Sequence, residues 1–332
     1  MLIQKSGTIK ANVQLQYGYL FIPMKKLTSI ELCAGAGGQA LGLELAGFDH
    51  VCLVELDKDA CVTLRLNRPT WNVREDDLHL FSATKFKGID LVAGGVPCPP
   101  FSKAGKQLGP EDERNLFDEA LRIVKEANPR AVMLENVRGL LDPVFSDYRK
   151  HILNQLSSMG YCGEWRLLNA SDYGVPQLRP RAILVALKKD IWKKFSWPIG
   201  NRSTTKTVGA TLKDLMEENG WDANEWSQKA NAIAPTLVGG SKKHGGPDLG
   251  PTRARKAWAQ LGVEGGTIAD SAPSVDFVGM PRLTVRMVAR LQGFPDTWKF
   301  WGRKTTSYRQ VGNAFPPPVA VAVGKQIIEA LK

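Results

Sequence analysis

The sequence predicts an α/β fold: a parallel sheet covered by helices on both faces, with a smaller irregular region attached. Three observations support this prediction. Short apolar runs alternate with helical patterns over residues 27–187, which is typical of a parallel sheet. A glycine-rich turn follows the first apolar run. The alternation is then lost between Lys188 and about Arg282, in a stretch rich in Gly, Trp and Lys.

The individual elements are predicted from apolar periodicity. The predicted strands are Leu27–Leu32, Val51–Val54, Ile89–Ala93, Ala131–Leu134 and Ala182–Leu187. The predicted helices between them are Gln39–Ala46, Lys58–Leu66, Leu116–Ala127 and Tyr148–Met159. Helical spacing returns at Leu283–Gln292 and Pro318–Leu331, so we expect the chain to come back to its first domain.

Cysteine usage and hydropathy restrict the class of protein. The five cysteines are odd in number and contain no C-x-x-C pair, which argues against a disulfide framework and a cysteine-rich zinc site. We therefore expect no metal and a reducing cytoplasm. No apolar run approaches the ~20 residues of a membrane span, and no signal-peptide pattern opens the chain, so no membrane partner is expected.

Positive charge is concentrated in one part of the chain. The formal net charge is +11, and residues 188–309 hold 20 Lys and Arg against 11 Asp and Glu, a net charge of +9. A basic segment attached to a near-neutral one indicates a polyanion partner such as nucleic acid. Charge alone leaves open the alternative of a solvated, solubilising surface.

The first predicted strand runs into CAGAGGQALG, where Gly35, Gly37 and Ala40 fit the relaxed G-x-G-x-x-G/A pattern. Glycines there let the backbone turn tightly and approach a ligand. Glu55 ends the next strand, 20 residues after Gly35, where an acid can accept hydrogen bonds from ribose hydroxyls. Asp77 lies beyond the predicted helix Lys58–Leu66, where a carboxylate could meet an adenine amino group. The glycine turn and the two acids predict a nucleoside cofactor, which could be either NAD or S-adenosylmethionine. The alternative without a ligand is a tight glycine turn beside a solvated acid.

Two reactive side chains follow neighbouring strands. Cys98 lies five residues beyond Ala93, within GGVPCPPFSKAG, and Glu135 closes the run AVMLE. Ligands bind outside the carboxyl ends of strands in such sheets, and one predicted helix joins these two strands. We therefore expect Cys98 and Glu135 to face one crevice. Partial desolvation there predicts a raised pKa for Glu135, which would let it donate a hydrogen bond to a ring nitrogen.

Two arginines, Arg179 and Arg181, precede the last predicted strand within QLRPRAILVAL. Their spacing predicts that both lie on one face, where positive charge would favour the thiolate of Cys98. Taken singly, an inert buried cysteine, a capping glutamate and strand-edge arginines are equally good interpretations.

Seven motifs in order identify the chain as resembling the DNA cytosine-5 methyltransferases over most of residues 27–331. The motifs are ELCAGAGG, VELD, GGVPCPPFS, LENVRGL, DYGVPQLRPR, RLTVRMVARLQGFPDTW and YRQVGNAFPPPVA. The resemblance implies a Rossmann-like, S-adenosylmethionine-dependent methyltransferase sheet with a smaller, irregular target-recognition domain. It further implies methylation of carbon 5 of a cytosine in a specific double-stranded DNA sequence, on a flipped-out base.

The resemblance also assigns roles to individual residues. Cys98 matches the nucleophile that adds to carbon 6 of cytosine, and Glu135 the glutamate that holds ring nitrogen 3 and the exocyclic amine. Arg181 matches the arginine near the cytosine carbonyl, and Arg179 the one that supports the cysteine loop. S-adenosylmethionine is the implied cofactor, and the implied contacts are Cys33, Ala34, Gly35, Gly37, Gly38, Glu55, Asp77, Pro97, Leu116 and Asn313.

The implied DNA contacts are Ser102 near the nucleophile, and Thr236 and Leu237 near the phosphate of the flipped nucleotide. Lys242, Lys243 and His244, in GGSKKHGG, form a candidate contact loop, with a mobile solvated loop as the alternative. Two departures from the family pattern concern the site. Cys33 stands where many members have phenylalanine, which predicts a looser cofactor wall. Pro99-Pro100 follow the nucleophile where Gln and a small residue are common, which raises the question of a stiffer loop.

The predicted organisation has four parts. Residues 1–23 form a peripheral N-terminal extension, since Met24 opens a second plausible start. Residues 24–187 plus 310–332 form the catalytic and cofactor-binding domain, residues 188–282 the target-recognition domain, and residues 283–309 a hinge and return segment. The expected setting is a bacterial restriction-modification system, with a monomeric enzyme in the cytoplasm on nucleoid DNA. Whether a cognate restriction endonuclease is encoded nearby stays open.

Three other functions compete with DNA methylation. A tRNA cytosine-5 methyltransferase would use the same chemistry, but the Cys-Phe-Thr tripeptide associated with that branch is absent. A catalytically silent DNA-binding module would not need the set of Cys98, Glu135 and Arg181. An NAD-dependent oxidoreductase would fit the glycine turn and leave the other six motifs unexplained.

Overall fold

The computed structural model describes residues 26–97, 116–240 and 246–332. A seven-stranded sheet with the order β3-β2-β1-β4-β5-β7-β6 forms its centre. The strands are β1 (Leu27–Leu32), β2 (Phe48–Glu55), β3 (Val73–Glu75), β4 (Leu91–Gly95), β5 (Ala131–Val137), β6 (Tyr161–Asn169) and β7 (Pro180–Lys188). The five predicted strands are all present, and the predicted α/β fold is confirmed.

The sheet is mixed, whereas the alternation of elements predicted a parallel one. β7 runs antiparallel to both β5 and β6. A parallel return needs a crossover of a dozen or more residues, usually a helix, but only residues 170–179 connect β6 to β7. β6 and β3 were not predicted, because their residues are mostly half-buried or exposed and do not form a continuous apolar run.

The helices cover both faces of the sheet and continue into the irregular region. In chain order they are α1 (Gly38–Ala46), α2 (Lys58–Asn67), α3 (Phe117–Ala127), α4 (Ser146–Ser158), α5 (Lys189–Trp192), α6 (Val208–Met216), α7 (Asn224–Lys229), α8 (Thr252–Gln260), α9 (Val285–Leu291), α10 (Lys304–Asn313) and α11 (Pro317–Leu331). None of the helices in the described ranges is long and apolar enough to cross a membrane.

Two core clusters sandwich the sheet. α3 and α4 pack on one face, over residues such as Ile30 and Val132. The other face, with Ala93 and Met133, is covered by α1 and α11. The chain therefore does return to its first domain, because its last helix closes one face of the sheet.

The region without readable periodicity has a core of its own. α6 to α10 pack around buried aromatic and aliphatic side chains, including Trp226 and Trp258, and Leu41 of α1 belongs to the same cluster. These helices are short and joined by turns, so few of them present two full turns of apolar spacing. Periodicity alone therefore predicted α9 and missed α6, α7, α8 and α10.

Close packing of α1 on α11 depends on Gly42. A Cβ at Gly42 would lie 2.4 Å from both the Ala320 Cβ and the Pro317 carbonyl oxygen. We expect Gly42→Ala to lower the free energy of unfolding by about 1–3 kcal/mol, because backbone atoms would have to move apart. Urea unfolding measures this change. Leu45→Ala on the same helix, at a position 61% exposed, should change it by less than about 0.5 kcal/mol; equal effects would contradict this account.

Candidate active site

The carboxyl ends of β4 and β5 meet, as the joining helix predicted. Gly95, the last residue of β4, pairs with Glu135 of β5. A Cβ at Gly95 would lie 3.2 Å from Glu135 Oε2, so glycine leaves room there for the carboxylate. Pro97 follows two residues later and is the last described residue before Cys98.

Glu135 and Arg181 form a buried ion pair at this edge. Arg181 Nε lies 2.8 Å from Glu135 Oε1, and both side chains are more than four-fifths buried. Burial raises the pKa of Glu135, while the positive charges of Arg181 and Arg179 oppose that rise. The raised pKa agrees in direction with the expectation from the sequence, and Arg181 holds the carboxyl in place.

The two arginines have different hydrogen-bond partners. Arg181 lies within β7, whereas Arg179 directly precedes the strand. Arg179 donates to the carbonyl oxygens of Leu237, Gly312 and Ala314. Both lie close enough to Glu135 for their positive charges to affect its pKa.

Asn136 is a site residue that the sequence analysis did not single out. Its Nδ2 donates to the carbonyl oxygen of Val96 at 3.1 Å, and its Oδ1 accepts from the amide of Val137 at 2.7 Å. The side chain is 2% exposed. Asn136 therefore fixes the backbone two residues before Cys98, and the signal for it was its place directly after Glu135 in LENV.

The glycine turn after β1 has the left-handed backbone that the motif requires. Gly35 and Gly37 have φ values of 53° and 87°, and Cys33 has a φ of 50°, which is uncommon for a residue with a side chain. Among the described residues, no atom lies within 4 Å of a Cβ built on Gly35. At Gly37, a Cβ would lie 2.7 Å from Leu64 Cδ2 and 2.9 Å from the Trp298 ring. The turn is thus open at Gly35 and closely packed at Gly37.

Trp298, from the motif GFPDTW, packs against this turn and donates a hydrogen bond to it. Its Nε1 donates to the carbonyl oxygen of Ala36 at 3.1 Å, and the side chain is 5% exposed. No local pattern shows that residues 262 positions apart will meet, so the contact between Trp298 and Ala36 could not be predicted from the sequence.

Both predicted acids of the cofactor site lie beside the turn. Glu55 Oε2 accepts from the amide of Gly35 and Oε1 from the amide of Asp57, both at 2.7 Å. Burial raises the pKa of Glu55, and these two hydrogen bonds oppose the rise. Burial also raises the pKa of the Cys33 thiol, and the charges of Glu55, Glu31 and Asp77 add to that effect. Each Glu55 oxygen retains a lone pair for a further donor.

The remaining predicted contacts are distributed around the same edge. Gly38 opens α1 and Leu116 directly precedes α3. Asn313 ends α10, and its Nδ2 donates to the carbonyl oxygen of Gly240 at 3.1 Å. Asn313 is exposed, so its side chain is accessible to a ligand.

Thr236 and Leu237 are held against the loop before β7. The hydroxyl of Thr236 donates to the carbonyl oxygen of Leu178, and the side chain of Leu237 is fully buried. A phosphate contact at Leu237 would therefore use its backbone. Cys98, Ser102, Lys242, Lys243 and His244 lie outside the described residues.

Several basic residues of 188–309 form ion pairs with acidic neighbours, most of them at the protein surface. Arg286 and Arg290 pair with Glu218, Asp214 and Asp296, and further pairs join Arg282 to Glu264 and Lys304 to Asp270. Arg253, Arg255 and Lys256 of α8 are exposed and make no ion pair with another described residue. α8 is therefore a candidate for phosphate contacts within the described part of this region.

Comparison with known proteins decides the family. The sequence matches the C-5 cytosine-specific DNA methylases over residues 27–329. The chain belongs to this family. The predicted resemblance and the predicted enzyme class are confirmed: the chain is a DNA cytosine-5 methyltransferase.

Named relatives agree with this assignment. The methyltransferase is 58% identical over 311 residues to the Type II methyltransferase M.NgoMIV of Neisseria gonorrhoeae, with 92% of this chain and 99% of that protein covered. It is 56% identical over 315 residues to the Type II methyltransferase M.NaeI of Lentzea aerocolonigenes, with 93% and 76% covered.

Solved structures agree on the fold. A candidate DNA modification methyltransferase from an Escherichia coli prophage has a TM-score of 0.66 at 26% identity, with 92% of this chain and 99% of that chain covered. The Dnmt2 methyltransferase of Schizosaccharomyces pombe has a TM-score of 0.63 at 19% identity, with 92% and 100% covered, and this second likeness concerns the fold alone.

The residues of the methyltransferase fit the cofactor that its family implies. The open space at Gly35 allows a ligand to approach the backbone of the turn. Glu55 lies within hydrogen-bond reach of that backbone, and Asp77 lies near enough to Cys33 to influence its pKa. An open glycine turn lined by two carboxyls suits a nucleoside whose hydroxyl and amino groups donate hydrogen bonds.

Glu31 is a second buried acid of the methyltransferase that the sequence analysis passed over. It is fully buried on β1, and within the described residues neither of its carboxyl oxygens has a hydrogen-bond partner. Burial raises its pKa well above the ordinary value, and the negative charge of Glu135 adds to the rise. The register of β1, β4 and β5 places Glu31 and Glu135 on the same sheet face, so negative charge on Glu135 favours the protonated form of Glu31.

Glu31→Gln should alter how the stability of the methyltransferase depends on pH. Above about 4.3, the ordinary pKa of glutamate, the unfolded Glu31 ionises while the folded one stays protonated, so wild-type stability falls as pH rises toward the raised folded pKa. Glutamine does not titrate. The free energy of unfolding of the variant relative to wild type should therefore increase between pH 5 and pH 8, by up to about 1.4 kcal/mol per pH unit. Urea unfolding over this range measures it, and a pH-independent difference would contradict it.

Proposed function

We propose that this methyltransferase modifies carbon 5 of a cytosine in a specific double-stranded DNA sequence, as the modification enzyme of a bacterial restriction-modification system in the cytoplasm. The observation that carries the proposal is the buried pair of Glu135 and Arg181 at the sheet edge, next to the segment that leads into Cys98. The named relatives at 58% and 56% identity are Type II methyltransferases, which supports the setting.

Cys98 is the proposed nucleophile. Carbon 5 of cytosine is too weakly nucleophilic to take a methyl group unaided. Addition of the Cys98 thiolate to carbon 6 forms a carbon–sulfur bond and gives carbon 5 enamine character. After methylation, loss of the carbon-5 proton and elimination of the Cys98 thiolate restore the aromatic ring and the free enzyme.

Glu135 and Arg181 are proposed to prepare the base for this addition. Protonated Glu135 donates a hydrogen bond to ring nitrogen 3, which withdraws electrons and favours attack at carbon 6. The burial that raises the pKa of Glu135 supports this role. Arg181 holds the Glu135 carboxyl through Nε, and its guanidinium is proposed to contact the cytosine carbonyl oxygen.

The proposed cofactor is S-adenosylmethionine, held by the turn Cys33–Gly38 together with Glu55, Asp77, Pro97, Leu116 and Asn313. When bound, the cofactor supplies an electrophilic methyl group. The turn contributes backbone amides, Glu55 accepts from ribose hydroxyls, and Asp77 accepts from the adenine amino group.

The proposed substrate is duplex DNA with the target base flipped out, because its carbons 5 and 6 cannot be reached within the stack. Exposed basic residues contact phosphates, with Arg253, Arg255 and Lys256 of α8 as described candidates, while Lys242, Lys243 and His244 are proposed from the sequence. Polar side chains of the target-recognition region read base edges in the groove.

Expression of the chain with plasmid DNA tests the proposal. Mapping of carbon-5-methylated cytosines should show one sequence context methylated throughout the plasmid. Cys98→Ala should abolish the signal, because no covalent addition to carbon 6 is possible. Full methylation by Cys98→Ala would overturn the nucleophile. Methylation of tRNA instead of plasmid DNA would favour the tRNA-modifying alternative.

Glu135→Gln should lower kcat for methylation by roughly 10²–10⁴-fold, the range for removal of a general acid. Glutamine keeps the shape but cannot transfer a proton to the ring. Single-turnover methylation of a duplex that carries the mapped site measures the loss. Glu44→Gln, which removes a carboxylate paired with Arg68 at 2.7 Å on another part of the protein, is the matched control and should keep the wild-type rate. A wild-type rate for Glu135→Gln would rule out the proposed role.

A further inference from the structure

Three charged residues of α3 form hydrogen bonds to the segment that follows β3. Glu119, Arg122 and Glu126 recur at intervals of three and four residues and pair with one another, which places them on one face of the helix. The segment is residues 77–83, and it begins with Asp77, the proposed acceptor for the adenine amino group. The contacts between α3 and this segment therefore bear on the cofactor site.

Arg122 lies at the centre of these contacts. Its Nε donates to Glu119 Oε2 at 2.7 Å and its Nη1 to Glu126 Oε1 at 2.6 Å. Its Nη2 donates to the carbonyl oxygens of Leu78 at 2.9 Å and Phe81 at 2.8 Å. Because the guanidinium is planar and rigid, the two glutamates fix its plane and direct the third nitrogen at the backbone of the segment.

Glu126 attaches the far end of the same segment. Its Oε2 accepts from the amide of Ala83 at 2.7 Å and from the hydroxyl of Ser82 at 3.0 Å. The side chains of Leu78 and Phe81 are 4% and 1% exposed and belong to the core beneath α3. Segment 77–83 is thus held on α3 by hydrogen bonds along its length and by buried side chains.

The attached segment determines where the Asp77 carboxylate lies. The carbonyl oxygen of Asp77 accepts from the amides of Leu80 at 2.9 Å and Phe81 at 3.0 Å. Its Oδ1 accepts from the amide of His79 at 3.0 Å, and an ionised carboxylate has further lone pairs for another donor. The carboxylate is therefore fixed relative to the segment, and the segment is fixed relative to α3.

The exposure of Arg122 limits what it can do for the fold as a whole. Its side chain is 34% exposed, and ion pairs at such exposure contribute little to overall stability. Its hydrogen bonds beyond α3 go to the carbonyl oxygens of Leu78 and Phe81. Arg122 is thus better suited to holding segment 77–83 than to stabilising the domain.

We infer that Arg122 is a positioning residue for the cofactor, which holds the Asp77 carboxylate where it distinguishes an amino group from a carbonyl group on the purine ring. A carboxylate accepts a hydrogen bond from an amino group and repels a carbonyl oxygen, so a site built around it rejects the carbonyl analogue. The inference rests on the proposed function, and Arg122 acts through the backbone of segment 77–83.

The test compares the affinities of S-adenosylhomocysteine and S-inosylhomocysteine, which has a carbonyl oxygen in place of the adenine amino group. Calorimetry should show that wild type binds the adenosyl compound about 10–100-fold more tightly, as one hydrogen bond to a charged group provides. Arg122→Met removes the donors and should lower this ratio about 10-fold. Combined with Asp77→Asn, it should lower the ratio no further than Asp77→Asn alone, because both changes remove one contact.

A second measurement needs no ligand. The amides of Phe81 and Ala83 are hydrogen-bonded within the attached segment, and hydrogen exchange reports local opening. Arg122→Met should speed their exchange by roughly 10-fold or more and leave the amides of β5 unchanged. Arg122→Lys keeps the charge without the planar group, so it should lose most of the discrimination too.

Arg130→Met is the matched control. Arg130 also pairs with a carboxylate, Asp90 at 3.0 Å, and also donates to a carbonyl oxygen, that of Leu331. It directly precedes β5 and so lies at the amino ends of the parallel strands, away from the proposed cofactor site. This variant should keep the wild-type ratio, and thermal melting should show that each variant is folded.

The outcomes separate the inference from the proposed function. A wild-type ratio near 1, an unchanged ratio in Arg122→Met, full discrimination in Arg122→Lys, or an equal loss in Arg130→Met would overturn the role of Arg122 and leave DNA methylation untouched. Absence of S-adenosylhomocysteine binding by the wild type would overturn the proposed cofactor itself. If Arg122→Met fails to fold, Glu126→Gln, which weakens the other attachment of the segment, decides the matter by the same ratio.

Discussion

The candidate site depends on the reversed direction of β7. In the register of β5 and β7, Glu135 pairs with Ile183 and Val137 pairs with Arg181. The antiparallel strand therefore brings its amino end to the edge where the parallel strands have their carboxyl ends. Arg181 can meet Glu135 there only because of this reversal; in a parallel strand the same residue would lie at the opposite edge of the sheet.

In the Glu135–Arg181 ion pair, the cost of removing the two charges from water is opposed by their mutual attraction. Removing a carboxylate and a guanidinium from water costs several kcal/mol each, and this cost raises the pKa of Glu135 and lowers that of Arg181. Each charge in turn stabilises the other. The pKa of the Glu135 carboxyl reflects both influences, and burial is the larger of the two. Glu31 lies on the same sheet face without an ion-pair partner among the described residues, and burial raises its pKa well above the ordinary value.

The basic residues of 188–309 fall into two groups. Arginines such as Arg286 and Arg290 form ion pairs that connect α6, α9 and the segment after α9. Others, on α8, remain exposed. Net charge alone does not distinguish the two groups, because it records neither distance nor burial.

The sequence by itself determined the α/β class, the apolar strands β1, β2, β4, β5 and β7, the glycine turn and the neighbouring positions of β4 and β5, because these follow from local periodicity and from one connecting helix. It also placed Glu55 at the end of β2. Tertiary structure decided the reversal of β7, the different hydrogen-bond partners of Arg179 and Arg181, and the positions of Glu31, Asn136 and Trp298. Each of these depends on contacts between residues distant in the chain, such as Trp298 with Ala36, and no local pattern encodes which distant segment a side chain will meet.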